Sequence, residues 1–466
     1  MSLHKEINLE KEICEHLAAH GWLYDDGSAA NYDAALGVHP SDLIAWIEES
    51  QPHAWDALEK AYGAYATEKL LGRIRQEITQ QGTLDVLRFG IGLHPVRQQL
   101  KLAEFKPAFG LNPDVVARYG ANRLRVVRQV RYSKAGANCI DLVLFLNGIP
   151  VATAELKTDF TQSVQDAIDQ YRFDRHPRPK GQAAEPLLTF GSGALVHFAV
   201  SNGEVHMTTK LEGKETTFLP FNQGDGGGKG NPHNPKGHRT AYLWERVWER
   251  ESWLEILGRY LIVECDERKQ IAKVIFPRFH QLDVTRKLQQ AVLRDSAGAR
   301  YLVQHSTGSG KTNSIAWTAH FLAELHDPQD RKLFDSVVVI SDRTVIDSQL
   351  QDALFGFQRQ TGVVATIKGE DASKSAELTE ALSGNKKIVV CTIQTFPFAL
   401  AAVRELAATK GKRFAVIADE AHSSQAGQAA TKLRAVLSPE EIKELEDGGD
   451  VSTDDILACR DDCARG

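Results

Sequence analysis

An aspartate at position 141 and the triplet Glu155-Leu156-Lys157 are the residues of this chain best placed by type and spacing to do chemistry. Strand period puts Glu155 and Lys157 on one face. Asp141 lies across Asn147-Gly148, a dipeptide that favours a tight hairpin turn. A two-residue loop pairs Leu146 with Ile149 and leaves Asp141 opposite Ala154, on the wrong face. A three-residue loop, or a bulge, pairs Leu146 with Pro150 and sets Asp141 opposite Glu155, and this register is predicted. Two carboxylates and an amine on one face form a site for a divalent cation, with a group able to position an attacking water. Burying them costs several kcal/mol unless a cation or mutual pairing offsets it. A buried ion pair with one spare partner is the plain alternative. Further on, residues 165–174 (QDAIDQYRFD) suit a helix, from which Gln165, Gln170 and Tyr171 could steady the metal site or a phosphate.

A second constellation begins at Thr307-Gly308-Ser309-Gly310-Lys311-Thr312, after the apolar run Tyr301–Val303, read as a strand, and before a helix-compatible segment, Ile315–Leu325. Gly308 and Gly310 let backbone N–H groups approach a phosphate, the Lys311 ammonium reaches its oxygens, and Thr312 offers a hydroxyl to Mg2+. The strict phosphate-loop pattern has Gly where this chain has His305. Downstream, Asp419-Glu420-Ala421-His422 ends the apolar strand Phe414–Ala418. Adjacent carboxylates at a strand end suit hydrolysis, Asp419 holding Mg2+ through water and Glu420 orienting the attacking water. A glycine-rich turn or an acidic turn would explain either motif alone. Together, and in this order, they point to ATP.

The chain must hold both sites. At 466 residues it exceeds one ordinary core, and two or three domains are expected. Residues 222–240 (NQGDGGGKGNPHNPKGHRT) are dense in Gly, Pro and Asn and are read as a flexible linker. The expected divisions are a domain over 1–221 with a helical N-terminal region (Glu6–His20, Ser41–Leu71) and an α/β core from Arg123 to Leu219, the linker at 222–240, and a second domain over 241–466. Tyr242–Tyr260 suits an amphipathic docking helix whose Trp244, Trp248 and Trp253 are read as core. Short apolar runs at Val337–Ile340, Ile388–Cys391 and Phe414–Ala418, alternating with helix-compatible segments, suit a parallel doubly wound sheet.

No apolar stretch approaches the roughly 18 residues of a membrane span, and the N-terminus lacks the apolar core of a secretory signal. No membrane and a cytoplasmic location are expected. The six cysteines are scattered and read as reduced. A net charge of -6 argues against indiscriminate coating of nucleic acid. Locally, six basic residues (Arg118, Arg123, Arg125, Arg128, Arg131, Lys134) and no acidic one occupy 118–134, which suggests phosphate contacts, a solvated strand face being the plainer reading.

Asp141 with Glu155-Leu156-Lys157 resembles the PD-(D/E)xK nuclease motif, and T-G-S-G-K-T with D-E-A-H resembles the motor of superfamily 2 helicases. Ser341-Asp342-Arg343 resembles helicase motif Ia, Cys391-Thr392-Ile393-Gln394-Thr395 motif Ib, and Phe279-His280-Gln281 the glutamine element that reads adenine. In this order the motifs resemble the endonuclease (R) subunit of type I restriction enzymes, as do residues 188–209 and 276–292. The resemblance implies a restriction-endonuclease-like mixed sheet with helices, then a RecA-like parallel α/β domain. It implies catalysis by Asp141, Glu155, Lys157 and Glu420, ATP and Mg2+ as cofactors, and Arg343 and Gln394 along a DNA track. The implied partners are double-stranded DNA and the modification and specificity subunits. Two departures stand out: Gln165 and Tyr171 are six apart where the family often has Gln-x-x-x-Tyr, and nothing after His422 resembles a second motor domain. A truncated product with negligible translocation of its own is therefore expected. Two competing readings remain, a nuclease-dead DNA-binding scaffold and a plain helicase with an accessory domain. Substituting Glu155 or Lys157 separates them from a nuclease.

Overall fold

The computed structural model describes residues 6–419, apart from 98, 108–111, 134–135, 160–161, 307, 342–347, 357–362, 368–376, 378–379, 383, 385, 393–403, 405 and 407–410. It divides into two compact units between His280 and Gln281.

The first unit opens with α1 (Glu6–Ala19), which buries Leu9, Ile13 and Leu17 at helical spacing. The helical run read at 41–71 becomes α2 (Pro40–Ser50), α3 (Pro52–Tyr62) and the start of α4 (Ala66–Gln81). Pro52 separates the first two, since proline suits a helix's first turn and disfavours helix in the residue before it. Next come α5 (Thr83–Phe89), α6 (Pro113–Ala121) and the strands β1 (Leu124–Arg131), β2 (Cys139–Leu146) and β3 (Ile149–Leu156). Helix α7 (Val164–Asp169) runs into a wide turn, Gln170–Asp174, and leads to β4 (Val196–Val200), β5 (Val205–Thr208) and β6 (Leu219–Pro220). The six strands form one mixed sheet in sequence order, antiparallel except for the β3–β4 pair. Every residue of β3 is buried, which makes this strand the spine of the unit.

Residues 222–240 are not a spacer in this unit. The Asn231 carboxamide donates to the Gly203 carbonyl (2.9 Å) and to Asn222 Oδ1 (2.8 Å). The Thr240 hydroxyl donates to the Ser201 carbonyl (2.7 Å). Gly and Pro exclude regular structure, but they do not exclude a loop held by side-chain hydrogen bonds. The region read as one docking helix is likewise interrupted: two wide turns, Leu243–Val247 and Ile256–Tyr260, flank α8 (Arg250–Glu255). In an unbroken α-helix Trp248 and Trp253 would point about 140° apart. The breaks let both rings pack on Phe198 of β4, with centroids 5.5 and 6.5 Å away. All three tryptophans are core, and this packing is why the division falls forty residues beyond the glycine-rich segment. Strands β7 (Ile262–Cys265) and β8 (Ile271–Ile275) form a separate hairpin, and α9 spans Phe279–Asp295.

The second unit contains α10 (Lys311–Ala323), β9 (Ser336–Ser341), α11 (Ser348–Gly356), β10 (Val364–Thr366), β11 (Ile388–Thr392) and β12 (Phe414–Ala418). Its sheet, in the order β10-β11-β9-β12, is parallel throughout. Ala316, Ala319 and Leu322 of α10 pack with Val337, Val339 and Val390 on one face. Val338, Ile340 and Val389 meet Leu382 and Leu406 on the other, which explains why these strands read as unbroken apolar runs. Tyr301–Val303 does not form the expected strand: it carries no ladder, and Leu302 is 84% exposed. Three apolar residues become a strand only with a hydrogen-bonded neighbour. Among the described residues no helix is long and apolar enough to cross a membrane, and Cys14, Cys139, Cys265 and Cys391 are free thiols.

Candidate active site

The site begins with the β2–β3 hairpin. Asn147 and Gly148 both have positive φ (50° and 78°), which makes a two-residue turn of the kind that follows strand twist. Gly148 is required here, because a Cβ would sit 2.3 Å from the His39 carbonyl oxygen. The buried Asn147 carboxamide ties the turn to the Leu102 carbonyl and to Asn122 Oδ1, both at 2.9 Å.

Leu146 pairs with Ile149, so the expected Leu146–Pro150 pairing is wrong. The register then shifts between Leu144 and Phe145: Phe145 pairs with Pro150 but Leu144 with Ala152, leaving Val151 as the extra residue of a bulge. Proline has no N–H for the ladder, so the irregularity falls beside it. Beyond the bulge Leu142 faces Ala154, and the next position along the ladder brings Asp141 to Glu155. The expected juxtaposition is reached through a bulge combined with the short turn.

Asp141 Oδ2 accepts from the Leu156 amide (2.8 Å) and Oδ1 from Gln129 Nε2 (3.2 Å). Glu155 is fully buried; its Oε1 accepts from Arg175 Nε at 2.6 Å, while Oε2 has no hydrogen-bond partner. Burial, and then the neighbouring Asp141 charge, push the Glu155 carboxyl well above the usual carboxylate range, and Arg175 opposes both. Lys157, also buried, reaches Glu6 Oε1 of α1 at 3.1 Å and the Leu156 carbonyl at 3.0 Å. One helical turn further, Glu10 accepts from Arg128 (3.0 Å) and Gln129 (2.9 Å). Burial first, then Asp141, raises the Glu10 pKa.

Arg175, Gln129, Glu6 and Glu10 were not foreseen. The signal available was the i,i+4 acidic pair Glu6/Glu10 on α1; nothing in the pattern around Arg175 marks it. Conversely, the basic run is mostly spoken for. Arg118 pairs with Glu104 (2.9 Å), Arg123 with Asp42 (3.3 Å), Arg125 with Asp42 and Asp25, and Arg128 with Glu10 and Asp26. Arg125 and Arg128 tie β1, Arg123 the residue before it and Arg118 the helix α6, to neighbouring acidic residues. Arg131 is exposed, and Lys134 lies outside the described residues. Gln165 is exposed and bonds Asp169 (2.8 Å), which removes it from the metal site. Tyr171 is buried, its hydroxyl 2.7 Å from Thr153 Oγ1, which also meets His197 Nδ1 at 2.7 Å. Burial lowers the His197 pKa to about 3, so its ring is neutral. Tyr171 thus braces β3 through Thr153, which shares the Glu155 face of the strand. Gln170 carries a buried Oε1 with no partner.

The donor set fits a hard cation such as Mg2+, because the Asp141 and Glu155 carboxylates meet and the spare Glu155 oxygen is satisfied only by a cation or by a proton shared with Asp141. Among the described residues no three acidic, His or Cys side chains converge on one point. The protein therefore offers two carboxylates, a number that suits Mg2+ because it keeps much of its shell as water and phosphate oxygen.

In the second unit Lys311 and Thr312 open α10, behind Gly308 and Gly310 with φ of 75° and 82°. Ser309 is buried between them. Gln281 Nε2 donates to the Gly310 carbonyl (2.9 Å), and a Cβ at Gly310 would lie 2.6 Å from that nitrogen. The Gln281 carboxamide thus braces the loop backbone. Asp419 follows β12, its amide bonded to the Ile340 carbonyl of β9 (2.9 Å), at the carboxyl ends of parallel strands where open α/β sheets bind ligands. Thr307, Arg343, Gln394 and Glu420 lie outside the described residues.

A mixed sheet carrying an Asp/Glu/Lys cluster is thus followed by a parallel α/β sheet with a glycine loop at a helix start. Residues 4–216 match the family described as Type I restriction enzyme R protein N terminus (HSDR_N), and residues 280–442 match SWI2/SNF2 ATPase, which makes the second unit RecA-like. The first unit is thus similar to the N-terminal part of type I restriction R proteins, and the second to SWI2/SNF2 ATPases. It is 23% identical over 93% of its length to a Methanocaldococcus jannaschii protein named as the type I restriction enzyme MjaVIIIP endonuclease subunit, of which the match covers 41%. It is also 23% identical over 91% of its length to the HindI endonuclease subunit of Haemophilus influenzae, of which 39% is covered. The chain thus spans about two fifths of the length of these relatives.

Proposed function

We propose that this chain is the nuclease and first ATP-binding portion of a type I restriction subunit, cutting double-stranded DNA by Mg2+-dependent phosphodiester hydrolysis. The observation that carries the reading is the closeness of the Asp141 and Glu155 carboxyls with Glu155 Oε2 left without a donor, Lys157 following two residues on and on the same face by strand period. Asp141 and Glu155 would hold the metal, and Lys157, released from Glu6, would orient the attacking water and meet the developing negative charge. Bound Mg2+ supplies Lewis-acid polarisation of the phosphate and a more acidic water. ATP would sit on residues 307–312, with Asp419 and Glu420 completing its Mg2+ site and water, and Arg343 and Gln394 would touch DNA. Modification and specificity subunits are the expected protein partners, and the cytoplasm the expected compartment.

The test is cleavage of circular duplex DNA with Mg2+, by the chain together with its modification and specificity subunits. Glu155→Gln and Lys157→Ala should each lower cleavage by on the order of 100-fold or more. Cleavage unchanged in both variants would leave a scaffold role in place of a nuclease.

A further inference from the structure

Beside the acidic cluster the first unit has a cleft of about 770 Å³ whose lining comes from four stretches of chain. Glu12 comes from α1, and Asp159, Asn202 and Gly203 lie just past the ends of β3 and β4. Residues 233–239 supply His233, Lys236, His238 and Arg239. The glycine-rich segment, which sequence reads as a spacer, thus brings its basic residues to the edge of the sheet where Lys157 lies.

The placement is tight. The Lys157 amide donates to the Val200 carbonyl (2.8 Å), so the ends of β3 and β4 are adjacent. Asp159 and Asn202 each lie two residues further, at most about 7 Å along the chain.

The loop is also built. Asn231 and Thr240 are buried and pin its two ends to the β4–β5 turn, and inside it Asn234 Oδ1 accepts from the Lys236 amide (3.0 Å) while Asn234 Nδ2 donates to the His238 carbonyl (3.0 Å). His238 leans on Glu12 (3.3 Å). Lys236 and Arg239 are exposed and, among the described residues, neither is ion-paired. The contrast with Arg118, Arg123, Arg125 and Arg128, all neutralised by carboxylates, is what distinguishes these two cations.

We propose that loop 233–239 is a phosphate clamp that holds the DNA backbone beside the bond to be cut, with Lys236 and Arg239 on phosphates and the His233 imidazole beside them. The proposal deepens the nuclease reading above and rests on it for the position of the cut. The ligand is recognised by its backbone charge, so the clamp confers affinity without sequence preference.

The test is binding of a short labelled duplex of arbitrary sequence to the full chain, by fluorescence anisotropy, between about 50 and 200 mM salt. Losing two phosphate contacts should lower the slope of log K against log salt by about two. Extrapolated from about 1 M to about 0.1 M salt, this weakens Lys236→Ala/Arg239→Ala on the order of 50-fold. Lys236→Arg/Arg239→Lys, which keeps both charges, should retain the wild-type slope. An unchanged slope in the alanine variant overturns the clamp, as does weaker binding with the slope intact, which would mark a surface for a protein partner. Glu155→Gln separates the two readings, because it should bind duplex like the wild type and cut none. If Glu155→Gln cuts normally, the nuclease reading falls, while the salt slope still decides whether these residues hold phosphate.

Discussion

Replacing Arg175 with methionine removes the cation that, among the described residues, donates directly to Glu155, while keeping much of the side chain's volume. Glu155 is fully buried, and both burial and Asp141 favour its protonated form; the Arg175 bond at 2.6 Å favours the charged one. Breaking a buried charged pair by deleting one member costs about 3–5 kcal/mol, because the other charge is left behind. Glu155 can escape much of that penalty by taking up a proton, and each proton-affinity increment of about 1.4 kcal/mol is a factor of ten in the fraction ionised. The carboxylate that should hold Mg2+ then becomes scarce at neutral pH.

The expected outcome is a displacement, not a simple loss. The acid limb of Mg2+-dependent cleavage should move to higher pH in Arg175→Met, and the Mg2+ concentration for half-maximal rate should rise at pH 7. Both should recover toward alkaline pH, since deprotonating Glu155 restores the ligand. Arg175→Lys keeps the charge without the planar donor and should fall between the two. Cleavage profiles against pH at several Mg2+ concentrations, with melting curves to check folding, provide the assay. An acid limb that stays in place, or moves to lower pH, in a folded Arg175→Met protein would refute the idea that Arg175 keeps Glu155 charged.

The raised Glu155 pKa also sets a sign for stability. A carboxyl whose folded pKa lies above its unfolded value stabilises the fold fully below the unfolded pKa, and that stability is lost as pH rises through the folded one. Melting temperature without metal should therefore fall on going from mildly acidic to alkaline pH, with Mg2+ restoring it most at the alkaline end; a pH-independent difference in Glu155→Gln minus wild-type melting would contradict this. Gln129 has a φ of 52° within a strand, a conformation that costs a side-chain-bearing residue about 1–3 kcal/mol. Gln129→Gly should leave chemical-denaturation stability within about 1 kcal/mol, because relieved strain offsets lost bonds, while cleavage falls as Asp141 loses its Gln129 donor. Tyr171→Phe removes one partner of Thr153 and should cost about 1–2 kcal/mol in denaturant melts. For Lys311→Ala, Mg-ATP should no longer raise the melting temperature, whereas a wild-type site at 100-fold its Kd gains about 2.7 kcal/mol.

Much of this architecture is legible from residue order. The parallel sheet showed as apolar runs at 337–340, 388–391 and 414–418 because strands covered on both faces carry no alternation. The Asp141–Glu155 contact was legible because period and turn length together leave few registers. What sequence could not show was how a bulge beside Pro150 combines with a two-residue turn, since both solutions end in the same juxtaposition. Nor could it show long-range pairing. Arg128 and Glu10 are 118 residues apart, so a basic strand looked like a phosphate surface until its acidic partners were located. The loop at 222–240 misled for a related reason: its composition forbids helix and strand, whereas its fixed shape comes from Asn231 and Thr240 bonding to residues of the distant β4–β5 turn.

The buried cluster could be an ion-pair network that serves only the fold, and the geometry distinguishes that case by what is left over. Lys157 has Glu6, Arg128 has Glu10, Asp141 has two donors and Glu155 has Arg175, so nearly every charge is balanced within the protein. A network serving stability alone would gain by being finished, because an unsatisfied buried acceptor costs about 1–3 kcal/mol. With both carboxyls charged Glu155 Oε2 is unsatisfied, a shared proton with Asp141 being the alternative to a cation, and it belongs to a residue that burial strongly disfavours as an anion. A divalent ion bridging to Asp141 would remove both penalties at once, bonding the spare oxygen and displacing the proton that burial favours. On that account the ion pairs around the site hold the two carboxylates in register before metal arrives, and the incomplete member is the one that metal completes.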